Sequence, residues 1–282
     1  MSTSEEKSSN SLVKLAVLDL AGTTVDYGSC APAQAFVQVF KEQGIDITMA
    51  QAREPMGLQK LDHIRAISKM PSIAQQWLQV KGHPFDDKDV EKLYKAFQPI
   101  HLKAIPSYNQ LIPGTLAVAE SFRNMGIKIA INSGYDKQIL DIVLGGMKEQ
   151  GFCPDFAICA SEVPAGRPAP WMLLRTMEIL NSYPPASVVH IGDTLSDVQC
   201  GLNAGVWSVG VTMTGNMIGL PFDAVEALSG EELANKLHAA KTKMISSGAH
   251  YVVSGIAGCI AVIEEINQRL IRGDRPWYGL EV

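Results

Sequence analysis

The chain has 282 residues, a formal net charge of −5, 46% hydrophobic residues and 19% charged residues. Its length and composition predict a packed globular protein, built as one large domain or as a main domain with a smaller one. The acidic balance argues against nucleic acid or a membrane surface as a partner, and no apolar run approaches the length of a membrane span.

Two features concern the compartment in which the chain works. The first residues, "MSTSEEKSSNS", lack the basic and apolar regions of a signal peptide, so we expect residues 1–12 to form a disordered tail. The five cysteines are scattered and include no Cys-x-x-Cys pair. This pattern disfavours a disulfide framework or a cysteine zinc site and favours a reducing, cytoplasmic location.

The first predicted strand, "LVKLAVLDL", carries Asp19 into a Gly-Thr-Thr turn. A carboxylate at such a strand end can attack phosphorus in line while backbone N–H groups hold the phosphoryl oxygens. Taken alone, the motif fits an ordinary turn aspartate bonded to local amides equally well. Phosphate-transfer sites of this type usually have a second carboxylate two residues later, and this chain has Ala21 there.

Residues 29–104 show no clear strand pattern and predict a helical cap inserted into an α/β core of residues 13–28 and 105–282. A helical unit above a strand-end site is a natural lid. Lys60 and His63 are three residues apart on one of its helices, and so share a face. A solvated lysine and a structural histidine are the ordinary interpretation of such a pair. The predicted cap helices are "PAQAFVQVFKEQG", "KLDHIRAISKM", "IAQQWLQVKG" and "DKDVEKLYKAFQPIHLKAI".

Further along the chain, short apolar strands alternate with helical segments, which predicts a parallel sheet covered on both faces. Ligands bind at the carboxyl ends of such strands, and Asp19, Ser133, Ser161 and Asp193 all fall at those ends. The predicted strands are "GIKIAINSG", "FAICAS", "SVVHIGD", "WSVGVT" and a short "AHYVV". The helices are "TLAVAESFRNMG", "KQILDIVLGGMKEQG", "PWMLLRTMEILN", one after Gly215 and a closing helix.

The segment "HIGDTLSD" places Asp193 and Asp197 four residues apart after a strand. Together with Asp19 they offer the hard oxygen ligands that Mg²⁺ prefers. Asp197 could instead cap the next helix, and both roles are compatible. The hydroxyl of Ser133 can donate to a phosphoryl oxygen, and Arg167 can neutralise phosphoryl charge.

These motifs, in this order, resemble the haloacid dehalogenase superfamily, and five segments resemble its phosphonatase (phosphonoacetaldehyde hydrolase) family. The similarity runs from about Leu15 to Leu270, and the segment that holds Met56, Gly57, Lys60 and His63 separates phosphonatases from phosphatases. The segments are "DLAGTTVDYG", "PMGLQKLDHIRAI", "NSGYDKQILDIV", "PDFAICASEVPAGRPAPWM" and "IGDTLSDVQCGLNAGVWSVGV".

The resemblance implies a Rossmann-like parallel-sheet core with an inserted α-helical cap. It implies hydrolysis of the P–C bond of phosphonoacetaldehyde, with Asp19 as the nucleophile that becomes an aspartyl phosphate and Lys60 as the Schiff-base lysine. His63 would assist proton movement, and the cofactor would be Mg²⁺. The implied metal ligands are Asp19, the carbonyl of Ala21 and Asp193, with Asp197 behind them. The implied substrate-binding residues are Ser133, Arg167, Met56, Gly57, Tyr135 and Thr23.

Two further expectations follow from the family. It implies a homodimer formed through the cap, where Trp77 and Phe97 would provide dimer contacts or simply the core of the cap. The family often has Cys directly after the Tyr-Gly of its first motif, where this chain has Ser29 followed by Cys30. This departure concerns the polar packing near the junction of cap and core.

Three alternatives remain at this stage. Another haloacid dehalogenase-type phosphatase, acting on a small phosphorylated metabolite, would need the acid that Ala21 replaces. A dehalogenase needs no Mg²⁺, and "GDTLSD" argues against it. A non-enzymatic phosphate sensor or scaffold has no positive support in the sequence.

Overall fold

A computed structural model describes residues 12–277 of the chain. Six strands form one sheet in the order β3-β2-β1-β4-β5-β6, and every neighbouring pair is parallel. The two central strands are therefore β1, the first in the sequence, and β4. The strands are β1 Leu15–Leu18, β2 Lys128–Ser133, β3 Phe156–Cys159, β4 Val188–Gly192, β5 Trp207–Val211 and β6 Tyr251–Val253.

Helices connect the strands and form the cap. The cap region contains α1 Cys30–Lys41, α2 Met49–Arg53, α3 Lys60–Ser68, α4 Pro71–Lys81 and α5 Asp87–Tyr108. The remaining helices are α6 Thr115–Asn124, α7 Lys137–Glu149, α8 Trp171–Ile179, α9 Leu195–Asn203, α10 Phe222–Glu226, α11 Gly230–Ser246 and α12 Cys259–Ile271.

Both faces of the sheet are buried, because successive side chains of a strand point to opposite sides. In β1, Ala16 and Leu18 join a cluster that includes Phe122 of α6. Leu15 and Val17 pack on the other face, in a cluster with residues of α8 and α9. This burial on both sides explains why the strands are continuous apolar runs rather than alternating polar and apolar ones.

The cap has a hydrophobic core of its own. Phe36, Phe40, Ile64, Trp77 and Phe97 are buried together there. Trp77 and Phe97 thus serve as cap core rather than as surface, and they lend no support to a dimer interface. The homodimer stays a prediction.

Helix α5 links the two hydrophobic cores. Phe97 belongs to the core of the cap, whereas Ile105 of the same helix packs in the core of the sheet. The boundary predicted between residues 104 and 105 thus falls inside a continuous helix. The division into segments 13–28, 29–104 and 105–282 stays a proposal, supported by these two separate clusters.

The α/β fold class predicted from the sequence is confirmed, including all six strands and the four predicted cap helices. Helix α2 was not predicted, because five residues are too few to show a helical period. The predicted tail lies outside the described residues except for Leu12. Among residues 12–277, no helix is both long and apolar enough to cross a lipid bilayer. The five cysteines are free thiols.

Candidate active site

The carboxyl ends of β1, β2 and β4 gather the predicted site residues. Asp19 follows β1 directly, Ser133 is the last residue of β2, and Asp193 follows β4. The backbone N–H of Asp19 donates to the carbonyl of Ile191 at 2.9 Å, which fixes the end of β1 against β4. The nucleophile candidate and the metal-ligand candidate are therefore held by the sheet itself.

Arg167 reaches this edge from the loop after β3 and contacts two carboxylates. Its Nη2 donates to Oδ1 of Asp19 at 2.8 Å, and its Nη1 forms an ion pair with Oδ1 of Asp197. All three side chains are buried. Such charge-assisted contacts align the Asp19 carboxylate and offset its negative charge.

Asp193 is held by donors on both of its oxygens. The backbone N–H of Asn216 donates to Oδ2 at 2.6 Å, and the hydroxyl of Thr23 donates to Oδ1 at 3.5 Å. Burial, together with the nearby charge of Asp19, raises the pKa of Asp193 well above its ordinary value. A carboxylate in this position is most stable beside a cation.

The three carboxylates fit a divalent cation. Asp19, Asp193 and Asp197 are buried, and one oxygen of each lies within 4.8 Å of the others. Hard oxygen donors of this kind suit Mg²⁺, whose charge would relieve the repulsion between them. Close backbone packing maintains the cradle, since a Cβ at Gly22 would lie 2.3 Å from Oδ2 of Asp193.

Asp197 also organises the start of helix α9. Thr194 is the N-cap, and its backbone N–H donates to Oδ2 of Asp197 at 3.0 Å while its side chain accepts from the Asp197 N–H. This is a capping box in which Asp197 is the third helical residue rather than the cap. The helix cap expected of Asp197 is therefore Thr194, and the other oxygen of Asp197 faces Arg167. Its expected role behind the metal ligands stays a prediction.

Lys60 enters the same pocket from the cap as the first residue of α3. Only 6% of it is exposed, and its Nζ lies 5.1 Å from the ring centre of Tyr135 and 5.7 Å from that of Phe36. Burial and the positive charge of Arg167 lower the pKa of Lys60 to about 8. The positive end of the α3 dipole acts in the same direction.

The loop before α3 touches the core at Gly57. Its φ of +95° suits glycine, and a Cβ there would lie 2.3 Å from the Thr194 hydroxyl oxygen. The backbone of the cap thus packs directly against the Thr194 side chain of the core. This contact closes the pocket over Asp19.

The pocket between the cap and the core is small, with a cavity volume of about 20 Å³. It brings together most of the residues predicted for the site: Asp19, Ala21, Met56, Gly57, Lys60, Ser133, Tyr135, Arg167 and Asp193. Thr23 and Asp197 do not line it but contact residues that do. The roles assigned to these residues stay predictions, whereas their proximity is a feature of the structure.

His63 does not line the pocket. Its ring stacks on Phe36 at 3.8 Å between centroids, and its Nε2 lies 2.8 Å from the carbonyl of Ala52. Burial and the charge of Lys60 lower the pKa of His63 well below its ordinary value, which keeps the ring neutral. The proton-transfer role predicted for His63 stays a prediction, and its observed contacts support the aromatic wall beside Lys60.

Several pocket residues were not predicted. Ser29 and Pro32 come from the junction and the first turn of α1, while Gly134 and Thr194 are neighbours of predicted residues. Adjacency to a motif could have indicated Gly134 and Thr194. For Pro32 the chain carries no local signal, because only the docking of the cap brings it to the site.

Comparison with known proteins decides the family. Residues 13–205 match the family model of the haloacid dehalogenase-like hydrolases. The chain belongs to this family. A phosphonoacetaldehyde hydrolase-like protein of Syntrophobacter fumaroxidans is 41% identical over 264 residues, which cover 94% of this chain and 95% of the relative. The phosphonoacetaldehyde hydrolase of Paraburkholderia xenovorans is 39% identical, over 94% of this chain and 99% of its own length.

Solved structures agree with the family assignment. The phosphonoacetaldehyde hydrolase-like protein from Oleispira antarctica has a TM-score of 0.93 at 38% identity, over 95% of this chain and 97% of that chain. A β-phosphoglucomutase from Clostridium difficile has a TM-score of 0.64 at 17% identity, over 92% and 99% of the two chains, and shares the fold alone. The predicted relationship to phosphonatases within the haloacid dehalogenase superfamily is thus confirmed.

Docking of the cap at Gly57 can be tested by substitution. Gly57→Ala should weaken docking by about 1–3 kcal/mol, because the methyl group collides with Thr194 in addition to straining the backbone. We expect amide hydrogen exchange in the segment before α3 to accelerate about tenfold or more. The matched control is Gly82→Ala, which has a similar φ of +79° and no atom within 4 Å of the added Cβ. Equal exchange rates in that segment in the two variants would contradict the close contact.

The lowered pKa of Lys60 predicts an unusual pH dependence for its reaction with aldehydes. Only the neutral amine forms an imine, so adducts at Lys60, reduced with borohydride and counted by peptide mapping, should rise through pH 8 and level off above it. Lys137 is the internal control, because its ion pair with Asp141 raises its pKa above the ordinary 10.5. An adduct yield at Lys60 that rises in parallel with that at Lys137 would disprove the shift.

Proposed function

We propose that this hydrolase cleaves the P–C bond of phosphonoacetaldehyde to give acetaldehyde and phosphate. Lys60 is the amine that forms an imine with the substrate, and Asp19 is the nucleophile that takes the phosphoryl group. One observation carries the proposal: a buried amine with a pKa of about 8 faces the same pocket as the Asp19 carboxylate. The activity named for the relatives points the same way.

The chemistry explains why a lysine belongs opposite the nucleophile. Breaking a P–C bond leaves an electron pair on carbon, and an aldehyde beside that carbon accepts it poorly. A protonated imine accepts the pair far better, because its nitrogen already carries positive charge. A lysine partly neutral near physiological pH can form that imine, whereas an exposed lysine with a pKa of about 10.4 is almost wholly protonated.

The proposed sequence of bonds is as follows. Nζ of Lys60 condenses with the aldehyde and releases water. A carboxylate oxygen of Asp19 then attacks phosphorus, the P–C bond breaks, and its electron pair forms an enamine on Lys60. Water hydrolyses the aspartyl phosphate to phosphate, while protonation of the enamine carbon and hydrolysis of the resulting imine release acetaldehyde. Both side chains are thereby regenerated.

Charge on the transferred group is offset by groups already described. Arg167 lies beside Asp19, and the Ser133 hydroxyl accepts from the N–H of Tyr135 at 3.1 Å, which leaves its own proton to donate. Mg²⁺ bound by Asp19, Asp193 and the carbonyl of Ala21 would supply further positive charge at the phosphoryl oxygens. Asp197 would support this site through Arg167.

Proton transfer is assigned to the wall of the pocket near Lys60. Burial and the surrounding carboxylates raise the pKa of Tyr135 well above its ordinary value, so its phenol stays protonated and can donate. Met56 and Gly57 complete the cover over the substrate. His63 stays a candidate for proton movement, acting from behind Phe36.

The direct test is borohydride trapping with phosphonoacetaldehyde. We expect a covalent adduct that peptide mapping places on Lys60, and release of acetaldehyde and phosphate in the presence of Mg²⁺. Lys60→Arg keeps the charge but cannot form an imine, so it should lose both adduct and turnover. Asp19→Asn keeps the shape but not the nucleophile, so turnover should fall by about 10³-fold or more. Turnover without a Lys60 adduct would overturn the imine mechanism, and hydrolysis of phosphate esters alone would favour the phosphatase alternative.

Ala21 provides a second test. Its side chain borders the pocket beside Asp19, where a phosphatase would carry an acid that protonates an ester oxygen. Since the leaving group here is carbon, Ala21→Asp should reduce P–C cleavage about tenfold or more by adding a third carboxylate to the pocket wall. Ala21→Ser is the size control and should reduce it less. Full activity of Ala21→Asp in steady-state assays would contradict this explanation.

A further inference from the structure

Arg53, the last residue of α2, extends from the cap to the junction with the core. Its Nη1 donates to the carbonyl oxygens of Gly28 at 2.7 Å and Ser29 at 3.1 Å, where the chain passes from core to cap. The same nitrogen donates to Oδ1 of Asn216 at 3.1 Å. None of these contacts belongs to the reaction proposed above.

Asn216 lies in the core loop that follows β5 and bonds in two directions. Its side-chain Nδ2 donates to the carbonyl of Arg53 at 3.1 Å, so its amide binds both the side chain and the backbone of that residue. Its backbone N–H donates to Oδ2 of Asp193 at 2.6 Å. One nearly buried residue therefore joins the cap to a carboxylate of the cation site.

The loop around Asn216 is shaped to the guanidinium. A Cβ at Gly219 would lie 2.8 Å from Nε of Arg53, so the loop backbone packs directly against that side chain. Two residues before Asn216, the carbonyl of Thr214 accepts from the N–H of Gly28 at 2.7 Å. The loop is thus tied to the cap at Arg53 and to the junction at Gly28.

We propose that Arg53 and Asn216 are positioning residues that couple closure of the cap to the orientation of Asp193. Removing the cap would take the guanidinium away from Asn216 and leave the loop that carries the Asp193 donor without its packing partner. Cap closure would therefore favour cation binding, and by linkage the bound cation would favour closure to the same extent. The inference rests on the proposed function only in taking Mg²⁺ as the cation.

The test measures Mg²⁺ affinity by calorimetry, without substrate, on the full chain. Arg53→Gln and Asn216→Ala should each weaken binding about tenfold. The double variant should bind about as weakly as either single one, because both residues act through one contact. Arg65→Gln is the matched control: Arg65 is another cap arginine, paired with the exposed Asp62 and Asp87, and its loss should leave the affinity unchanged.

The outcomes separate coupling from mere stabilisation. A purely structural role would lower the melting temperature and leave the Mg²⁺ affinity of the folded protein within twofold of wild type, which would overturn the proposal. A double variant weakened by the product of the single effects would also overturn it. If Arg53→Gln fails to fold, Arg53→Lys, which keeps the charge and a single donor nitrogen, should show an intermediate affinity.

The proposed function and the coupling can fail independently, and the results distinguish the two. If the wild-type protein releases no acetaldehyde but Arg53→Gln still weakens Mg²⁺ binding, the coupling stands and the proposed substrate is wrong. If the wild-type protein cleaves the P–C bond normally but both single variants bind Mg²⁺ as tightly as wild type, the proposed substrate stands and the coupling is wrong.

Discussion

Repulsion among three buried carboxylates is the constraint on which the site is built. The oxygens of Asp19, Asp193 and Asp197 lie within 4.8 Å of one another, where a pair of like charges costs about 4 kcal/mol even at an effective dielectric of 20. The sheet brings these groups together because parallel strands end at one edge. Positive charge must then be supplied, and Arg167 does so by contacting two of the three.

The same charges set the state of Lys60. Burial and Arg167 lower its pKa, whereas the Asp19, Asp136 and Asp193 carboxylates raise it, and the balance lies near 8. Burial depends on the cap, so an open cap would return the amine toward its ordinary, protonated state. The lowered pKa of Lys60 is therefore a property of the closed protein rather than of the residue alone.

Prediction from the sequence succeeds where a single segment of the chain carries the whole pattern. The strand "SVVHIGD" carries both its apolar period and the acid at its end, and topology then places Asp193 beside Asp19. It fails where distant segments meet. Nothing near His63 shows that its ring stacks behind Phe36, and nothing near Arg53 points to Asn216. The first contact arises from helix packing within the cap and the second from docking of the cap on the core, and the family resemblance implied a cap but described neither contact.

The contact between Gly57 and Thr194 limits the length of the ligand that the closed cap can cover. The Gly57 backbone packs directly against the Thr194 side chain, so a bound molecule that extended between the two would hold the cap open. If Lys60 forms the imine proposed above, a molecule that held the cap open would leave its amine hydrated and cationic, and so unreactive. Ligands would then be distinguished by size, because a longer molecule leaves a smaller fraction of its complexes with the cap closed. Any contacts that its extra atoms make would add to this effect.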